Sequence, residues 1–271
     1  MSLAAIARKD FQETVQSRGM IALVVLFSLL VAAFAYAVRP TGEGEQFATE
    51  LLLSAFVGRF LVTTLVPLVG VVVGYNAVSG ERESGSLKLL LSLPHSRADV
   101  VFGKVVGRGA ALALAVFAGF LLPALVLIAA PVVFNGGAFL GYTVFAAALG
   151  VVFVSIAVGF SAASSTQRRA LIGGVAIYVL FVLLWGAVTG RLVGAAGPLV
   201  DALPVSATQL RVFLRVSNPT TAVEALSNAF LGEQLFSGET ANQQLSAAAM
   251  LVFWTLAPPL AGLLKFDTDD L

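Results

Sequence analysis

The side chains that could do acid–base or ligand chemistry are concentrated in one short part of this chain. Between Gly80 and Lys104 the sequence carries three acidic and four basic residues and its only histidine, His95, whereas the flanking sequence is almost entirely apolar. A single histidine beside Pro94 is more typical of a break between helices than of a catalytic acid or base. The stretch therefore indicates a charged binding surface rather than an active site.

The sequence lacks the residues that nucleotide binding and thiolate chemistry usually require. A phosphate-binding loop needs the pattern G-x-x-x-x-G-K-[ST], but the only Gly-Lys pair, Gly103-Lys104, is followed by valine and has Ala98 in place of the first glycine. The sequence contains no cysteine, which excludes disulfides, thiolate metal sites and a cysteine nucleophile. We therefore expect no catalytic activity, no metal and no cofactor on this chain.

The composition places the charged stretch in a membrane protein. Hydrophobic residues make up 58% of the 271 positions and charged residues only 11%, with a mean hydropathy of +0.95. Soluble domains are about one quarter charged. We therefore expect membrane lipid, and no nucleic acid, among the partners of the chain.

Six stretches of the sequence are long and apolar enough to cross a bilayer. A hydrocarbon core of roughly 30 Å needs about 20 helical residues, because every backbone polar group must be satisfied within the helix. The predicted spans are 20–38, 54–78, 109–134, 139–163, 170–190 and 245–264. The first is too long for a signal peptide and is expected to be an uncleaved anchor. None contains Asp or Glu, which argues against a proton-coupled secondary transporter.

Lysine and arginine predict the orientation, because cytoplasmic segments are richer in both residues. Segments on one side of the spans carry eleven basic residues and those on the other side carry four, with Arg59 inside the second span. Both termini and the charged loop 79–108 are therefore predicted to be cytoplasmic, and segment 191–244 to be external. Arg59 is expected to reach the outer headgroups; contact with an anionic substrate or a role at an external gate stay open.

Residues 1–19, ahead of the first span, have helical periodicity. One face of this segment is apolar and consists of Leu3, Ile6, Ala7, Phe11 and Val15. The pattern predicts an amphipathic helix in the cytoplasmic interface, with a frayed tail as the alternative.

The charged loop has the pattern of two short helices joined at a break. One helix has an apolar ridge at i, i+3 and i+4, formed by Leu87, Leu90 and Leu91. We expect this ridge to face a soluble partner, while Glu81, Arg82 and Glu83 pair locally at the membrane end. Pro94 ends the helix, and Ser96 with Asp99 has the form of a capping box that starts the next one.

These motifs resemble the first cytoplasmic loop of the membrane subunits of type-2 ABC exporters, above all the bacterial and archaeal branch that includes the nitrous-oxide-reductase maturation permeases. The residues that carry the resemblance are Glu81, Arg82, Glu83, Ser84, Gly85, Ser86, Leu87, Leu90, Leu91, Pro94, Ser96, Arg97, Gly103 and Lys104. Weaker likeness extends to leader residues 6–11 and to Asn218-Pro219. Ser86 is a departure, because the family more often has threonine there.

The resemblance implies that loop 79–108 contains a coupling helix, which docks onto a separate ATP-binding subunit, and that residues 1–19 form an elbow helix. It places ATP and magnesium on that subunit. It also implies two copies of each part, as a homodimer or as a pair of related permeases. Without the resemblance, the sequence pattern alone would favour an ordinary solvated connection.

The external segment 191–244 is too long for a plain connection, so we expect short helices in it. Asn218 is placed as an N-cap, with Pro219 at the first helical position. The apolar face that follows contains Leu226 and Phe230, and a helix end is expected at Gly232. A cap packed on the spans and an external gate are both consistent with this pattern.

Together, these features predict an all-α integral membrane protein of a prokaryotic cell membrane. It would consist of an interfacial helix, six transmembrane helices and a cytoplasmic coupling helix between spans 2 and 3, in one permease domain over residues 1–271. The predicted function is ATP-driven transport, with export favoured. A membrane-anchored scaffold that recruits a soluble partner without transport is the alternative.

Overall fold

The structure is a computed structural model that describes residues 3–37, 47–54, 61–92, 96–129, 132–196 and 206–268. Nearly all of these residues are helical. Apart from turns and short connections, the described residues also contain one parallel pair of two-residue strands, β1 (Phe47–Ala48) and β2 (Val132–Val133). The prediction of an all-α membrane protein is confirmed.

Six helices in the described part of the chain are long and apolar enough to cross a membrane. Spans 1 to 6 are Arg18–Ala37, Thr63–Ser84, Arg97–Ala129, Gly136–Ala163, Gln167–Ala195 and Gly238–Thr268. The predicted number of spans is confirmed. The third span differs most from its predicted bounds, because its helix begins at Arg97 and so includes Lys104 and Arg108. Arg59 lies outside the described residues.

The spans and the segments between them consist of the following helices. In the first half of the chain they are α1 (Leu3–Val15), α2 (Arg18–Ala37), α3 (Thr49–Leu52), α4 (Thr63–Gly74), α5 (Ser79–Ser84), α6 (Ser86–Ser92) and α7 (Arg97–Ala129). In the second half they are α8 (Gly136–Ala163), α9 (Gln167–Tyr178), a π-helix (Val179–Leu184), α10 (Trp185–Ala195), α11 (Ala207–Ser217), α12 (Pro219–Leu231) and α13 (Ala241–Thr268). The predicted N-terminal helix is present as α1.

Span 4 forms the centre of the bundle and is the most buried span. It packs against spans 2, 3 and 6 and against α12. Glycines allow this close packing: a Cβ on Gly74 would lie 2.5 Å from that of Ala157, and one on Gly262 would lie 2.3 Å from the carbonyl oxygen of Gly159. Small residues at such contacts let helix backbones approach one another in a membrane.

The bundle has two distinct ends. The loop face is the end that holds α1, α5 and α6, and the cap face is the end that holds α11 and α12. The predicted coupling residues that the structure describes lie on the loop face, and the predicted gate residues lie on the cap face.

Candidate coupling site

Two short helices, α5 and α6, meet at Gly85 on the loop face. Gly85 has a φ of 76°, a left-handed conformation that favours glycine. Its backbone N–H donates to the carbonyl oxygen of Arg82 at 3.2 Å and so closes α5. The chain therefore turns sharply between span 2, which ends with α5, and the separate helix α6.

Helix α6 buries the ridge that was expected to face a partner. Leu87 is only 1% exposed and belongs to the core, and Leu90 and Leu91 are partly buried against it. Leu89, by contrast, is 73% exposed, and Lys88 is exposed beside it. The expected direction of the ridge is thus corrected. Helical spacing identifies the buried face of a helix but does not identify the surface that covers it.

The predicted capping box is confirmed at the start of span 3. The backbone N–H of Ser96 donates to Asp99 Oδ2 at 3.1 Å, and the backbone N–H of Asp99 donates to Ser96 Oγ at 3.0 Å. These bonds satisfy two amides at the helix N-terminus. Span 3 therefore begins on the loop face and includes the second part of the predicted loop 79–108. Pro94 and His95 lie outside the described residues.

The junction between α4 and α5 is bonded to span 4. The backbone N–H groups of Val78 and Ser79 both donate to Ser161 Oγ at 3.0 Å. The hydroxyls of Ser79 and Ser161 are also 3.0 Å apart, and both residues are fully buried. Because buried backbone amides need partners, Ser161 fixes the position of this junction.

A buried ion cluster joins α1, α5 and span 3. Lys104 Nζ lies 3.2 Å from Asp10 Oδ1 and 2.8 Å from Glu81 Oε1, and Arg108 Nε lies 2.8 Å from Asp10 Oδ2. Lys104 is 0% exposed and Asp10 is 2% exposed. Arg108 also donates to Asn76 Oδ1 at 2.7 Å. The sequence pattern predicts that Glu81 pairs locally at the membrane end of the loop, and it does not identify Asp10, Lys104 and Arg108 as a cluster.

The electrostatics of Asp10 are set by two opposing effects. Burial raises the pKa of its carboxyl group, but the charges of Lys104 and Arg108 and their hydrogen bonds outweigh burial and hold the pKa below its ordinary value. Asp10 is therefore a carboxylate at neutral pH. A charge this deeply buried requires its cationic partners to remain in place.

Two glycines of span 3 allow α1 to approach the cluster. A Cβ on Gly103 would lie 2.9 Å from Ile6 Cβ, and one on Gly107 would lie 2.4 Å from the carbonyl oxygen of Ala7. Helix α1 therefore packs on span 3 through backbone-level contact. This contact brings Asp10 within reach of Lys104 and Arg108.

Three further charged residues of the loop contact spans 5 and 6. Glu83 Oε1 accepts a hydrogen bond of 2.9 Å from the backbone N–H of Gln167, at the N-terminus of span 5. The guanidinium groups of Arg82 and Arg97 lie 5.2 Å and 4.8 Å from the ring centre of Phe266 in span 6, within cation–π range. Arg97 also donates to the carbonyl oxygen of Phe266.

The segment Ser79–Arg97 thus has direct bonds or ring contacts with α1 and with spans 3, 4, 5 and 6. The described residues of this segment that are exposed are Glu83, Ser84, Gly85, Ser86, Lys88, Leu89, Ser92 and Ser96. The arrangement can receive a partner on its outer side and pass displacement to several helix ends. Within the described residues, no group of three or more His, Asp or Glu side chains could hold a metal ion.

The predicted gate residues lie together on the cap face. Asn218 caps α12, as predicted: its Oδ1 accepts the backbone N–H of Thr220 at 2.8 Å, and Pro219 occupies the first turn. Asn218 Nδ2 also donates to the carbonyl oxygen of Phe181 in the π-helix of span 5 at 2.7 Å. Leu226 is buried, and Phe230 is half-buried with its ring 5.8 Å from that of Phe145 in span 4. Helix α12 is therefore fixed to the spans.

Comparison with known proteins agrees with this architecture. A family model described as ABC-2 family transporter protein matches residues 4–271. The chain is 32% identical over 187 residues to a probable ABC transporter permease protein NosY of Pseudomonas aeruginosa, and 31% identical over 184 residues to the protein of the same name from Stutzerimonas stutzeri. Each alignment covers 66% of this chain and 66% of the relative.

The family match covers nearly the whole chain, including α1, the six spans and the loop between spans 2 and 3. The chain is a multi-pass membrane protein that belongs to the ABC-2 family of transporters, as a permease subunit.

Proposed function

We propose that loop 79–108 couples this permease to ATP hydrolysis on a separate ATP-binding subunit. The observation that carries the proposal is the set of contacts between Ser79–Arg97 and five other helices. A short segment tied to so many helix ends would move them together when a partner displaces it. Both relatives are named as probable ABC transporter permeases, which supports this function.

The loop divides into two sets of residues in this proposal. The outward set, which includes Lys88 and Leu89, binds the ATP-binding subunit. The inward set, formed by Glu81, Arg82, Glu83 and Arg97, passes displacement to the spans. Leu87, Leu90 and Leu91 hold α6 on the bundle so that the two sets move as one body.

We propose that the loop face is cytoplasmic and that both termini lie on that side of a prokaryotic cell membrane. The distribution of lysine and arginine supports this orientation. A cysteine introduced at Ser237 should then react with a membrane-impermeant reagent in intact cells, whereas one at Ser96 should react only after the cells are opened. The reverse pattern would overturn the orientation.

The remaining parts of the proposal concern assembly. Residues 1–271 act as a single permease domain, two copies of which form a homodimer in the lipid bilayer. ATP and magnesium bind to the partner subunits, and transport runs outward. Helix α12, held by Asn218 to span 5, forms the outer gate.

The composition of the purified complex tests the proposal. The chain alone should not hydrolyse ATP, and co-expression with its cognate ATP-binding subunit should give an active complex that contains two copies of each chain. Hydrolysis of ATP by the isolated chain, or failure of the two subunits to associate, would contradict it.

A further inference from the structure

A feature that the coupling proposal does not use lies on the cap face. An open cavity of about 440 Å³ is bounded by spans 2 and 5 and by α11 and α12. Its polar lining consists of Thr63, Thr189, Arg211, Arg215, Thr220, Thr221 and Glu224, beside Trp185. A concave site with several convergent polar groups is the usual form of a ligand-binding site.

The cationic side of the cavity is formed by two arginines of α11. Arg211 and Arg215 are four positions apart, which places them side by side on one face of the helix. No carboxylate in the described part of the chain forms an ion pair with either guanidinium group. Two adjacent guanidinium groups present planar arrays of N–H donors, which match the oxygens of a phosphate.

The helix that carries these arginines is held in place. Trp185 Nε1, in span 5, donates to the carbonyl oxygen of Leu214 at 2.9 Å, and Thr221 Oγ1, in α12, donates to the carbonyl oxygen of Arg215. Binding a ligand at the arginines therefore does not require α11 to be ordered first. A site that is already ordered loses less conformational entropy when a ligand binds, which favours binding.

The anionic side of the cavity is formed by Glu224 of α12. It lines the same cavity as Arg211 and Arg215, yet it does not approach either one closely enough for an ion pair. The carboxylate of Glu224 and the two guanidinium groups thus line the same cavity without forming an ion pair with each other. A ligand with both a phosphate and an ammonium group would satisfy both sides at once.

The position of the cavity indicates a lipid as the source of those groups. Thr189 follows the start of span 5 at Gln167 by 22 residues, or roughly 33 Å of helix, which is about the thickness of the hydrocarbon core. The cavity therefore lies at the level of the headgroups opposite the loop face. Large apolar side chains are exposed near it on span 5 and α11, namely Leu183, Leu184, Leu192, Val212 and Phe213. Such side chains suit acyl chains and do not suit a free, water-soluble phosphate.

We propose that this cavity binds the headgroup of a phospholipid that carries a primary ammonium group, with the phosphate at Arg211 and Arg215 and the ammonium at Glu224. The site is separate from the coupling loop and shares only α12 with the proposed outer gate, so it can hold or fail independently of the proposed coupling to ATP hydrolysis.

Native mass spectrometry of the purified full chain tests the site. Phosphatidylethanolamine, phosphatidylglycerol and inorganic phosphate are titrated separately against the wild type, Arg211→Gln/Arg215→Gln and Glu224→Gln. Arg191→Gln is the matched control, because Arg191 is an exposed arginine of span 5 outside the cavity lining. Thermal unfolding of each variant confirms that these surface changes leave the fold intact.

We expect the double arginine variant to lose affinity for both lipids by about tenfold or more, since each lost bond is charge-assisted. Glu224→Gln should weaken phosphatidylethanolamine and spare phosphatidylglycerol, and Arg191→Gln should bind as the wild type does. Equal retention of lipid by the double variant and the control would overturn the site. Binding of inorganic phosphate that displaces both lipids equally would overturn the assignment to a lipid.

Discussion

Lys104 Nζ lies 2.8 Å from Glu81 Oε1, although the two residues are 23 positions apart in the sequence. The contact joins the end of span 2 to span 3 at the point where the chain leaves and re-enters the bundle. Because Lys104 also binds Asp10 of α1, one buried ammonium group connects three elements of the loop face. The structural role of this cluster can be tested separately from its proposed role in coupling.

Replacing Lys104 by methionine should strongly destabilise the chain. The change leaves Asp10 as a buried carboxylate without one of its two cations, and breaking a buried ion pair from one side typically costs about 3–5 kcal/mol of unfolding free energy. The measurement is the unfolding of the purified chain in detergent. Lys9→Met is the control, since Lys9 is half-exposed and its ion pairs are longer, at 3.6 Å and 3.7 Å. Equal stability of the two variants would show that the cluster contributes little.

Acid should weaken the same cluster. The pKa of Asp10 in the folded chain lies below its ordinary value of 3.8, so the stability that it contributes is fully present above pH 3.8 and is lost as the pH falls through the folded pKa. The measurement is unfolding free energy as a function of pH, with Asp10→Asn as the comparison. The wild type should lose stability more steeply than the variant below pH 3.8. Parallel pH profiles would exclude Asp10 as the source.

Gly107→Ala should separate α1 from span 3. The added Cβ would meet the carbonyl oxygen of Ala7 at 2.4 Å, which the backbone can relieve only by moving. Overpacking of this kind costs about 1–3 kcal/mol. Hydrogen exchange should become faster in α1 than in the wild type. Gly190→Ala is the control, because no atom lies within 4 Å of its added Cβ. Unchanged exchange in α1 would contradict the close contact.

The exposed side of α6 should decide binding of the ATP-binding subunit. Leu89→Asp should abolish its recovery with the purified chain while leaving the fold intact, because Leu89 is 73% exposed. Leu87→Asp should instead unfold the loop face, because it places a charge in the core. Gln12→Asp on the exposed side of α1 serves as the control. Full recovery of the partner by a folded Leu89→Asp chain would remove α6 from the interface.

Much of this architecture could be predicted from the sequence. Apolar runs predicted the six spans, and local chemistry predicted the capping box at Ser96 and the helix start at Asn218-Pro219. These features depend on residues that are close together in the chain. Their physical causes can therefore be read without knowing the tertiary structure.

The interior of the loop face could not be predicted in the same way. Asp10 lies one turn after Ile6 on the buried face of α1, and Lys104 follows Gly103, whose lack of a side chain admits that face. The positions of Asp10 and Lys104 can each be noted in the sequence, but only the tertiary structure shows that the two residues form an ion pair. The prediction that Leu87 faces a soluble partner is wrong for a related reason. An apolar ridge beside a membrane domain can pack on that domain.

The most direct test of coupling follows ATP-dependent motion across the membrane. The chain has no cysteine, so a single cysteine at Ser237, on the cap face, can carry a spin label in each copy of the proposed homodimer. ATP should shift the distance between the two labels in the wild type, and Glu81→Gln should suppress the shift while the ATP-binding subunit stays bound and hydrolyses ATP. Glu13→Gln, which alters only an exposed pair with Lys9, should behave as the wild type does. A full ATP-dependent shift in the Glu81→Gln complex would contradict transmission through the contact between Glu81 and Lys104.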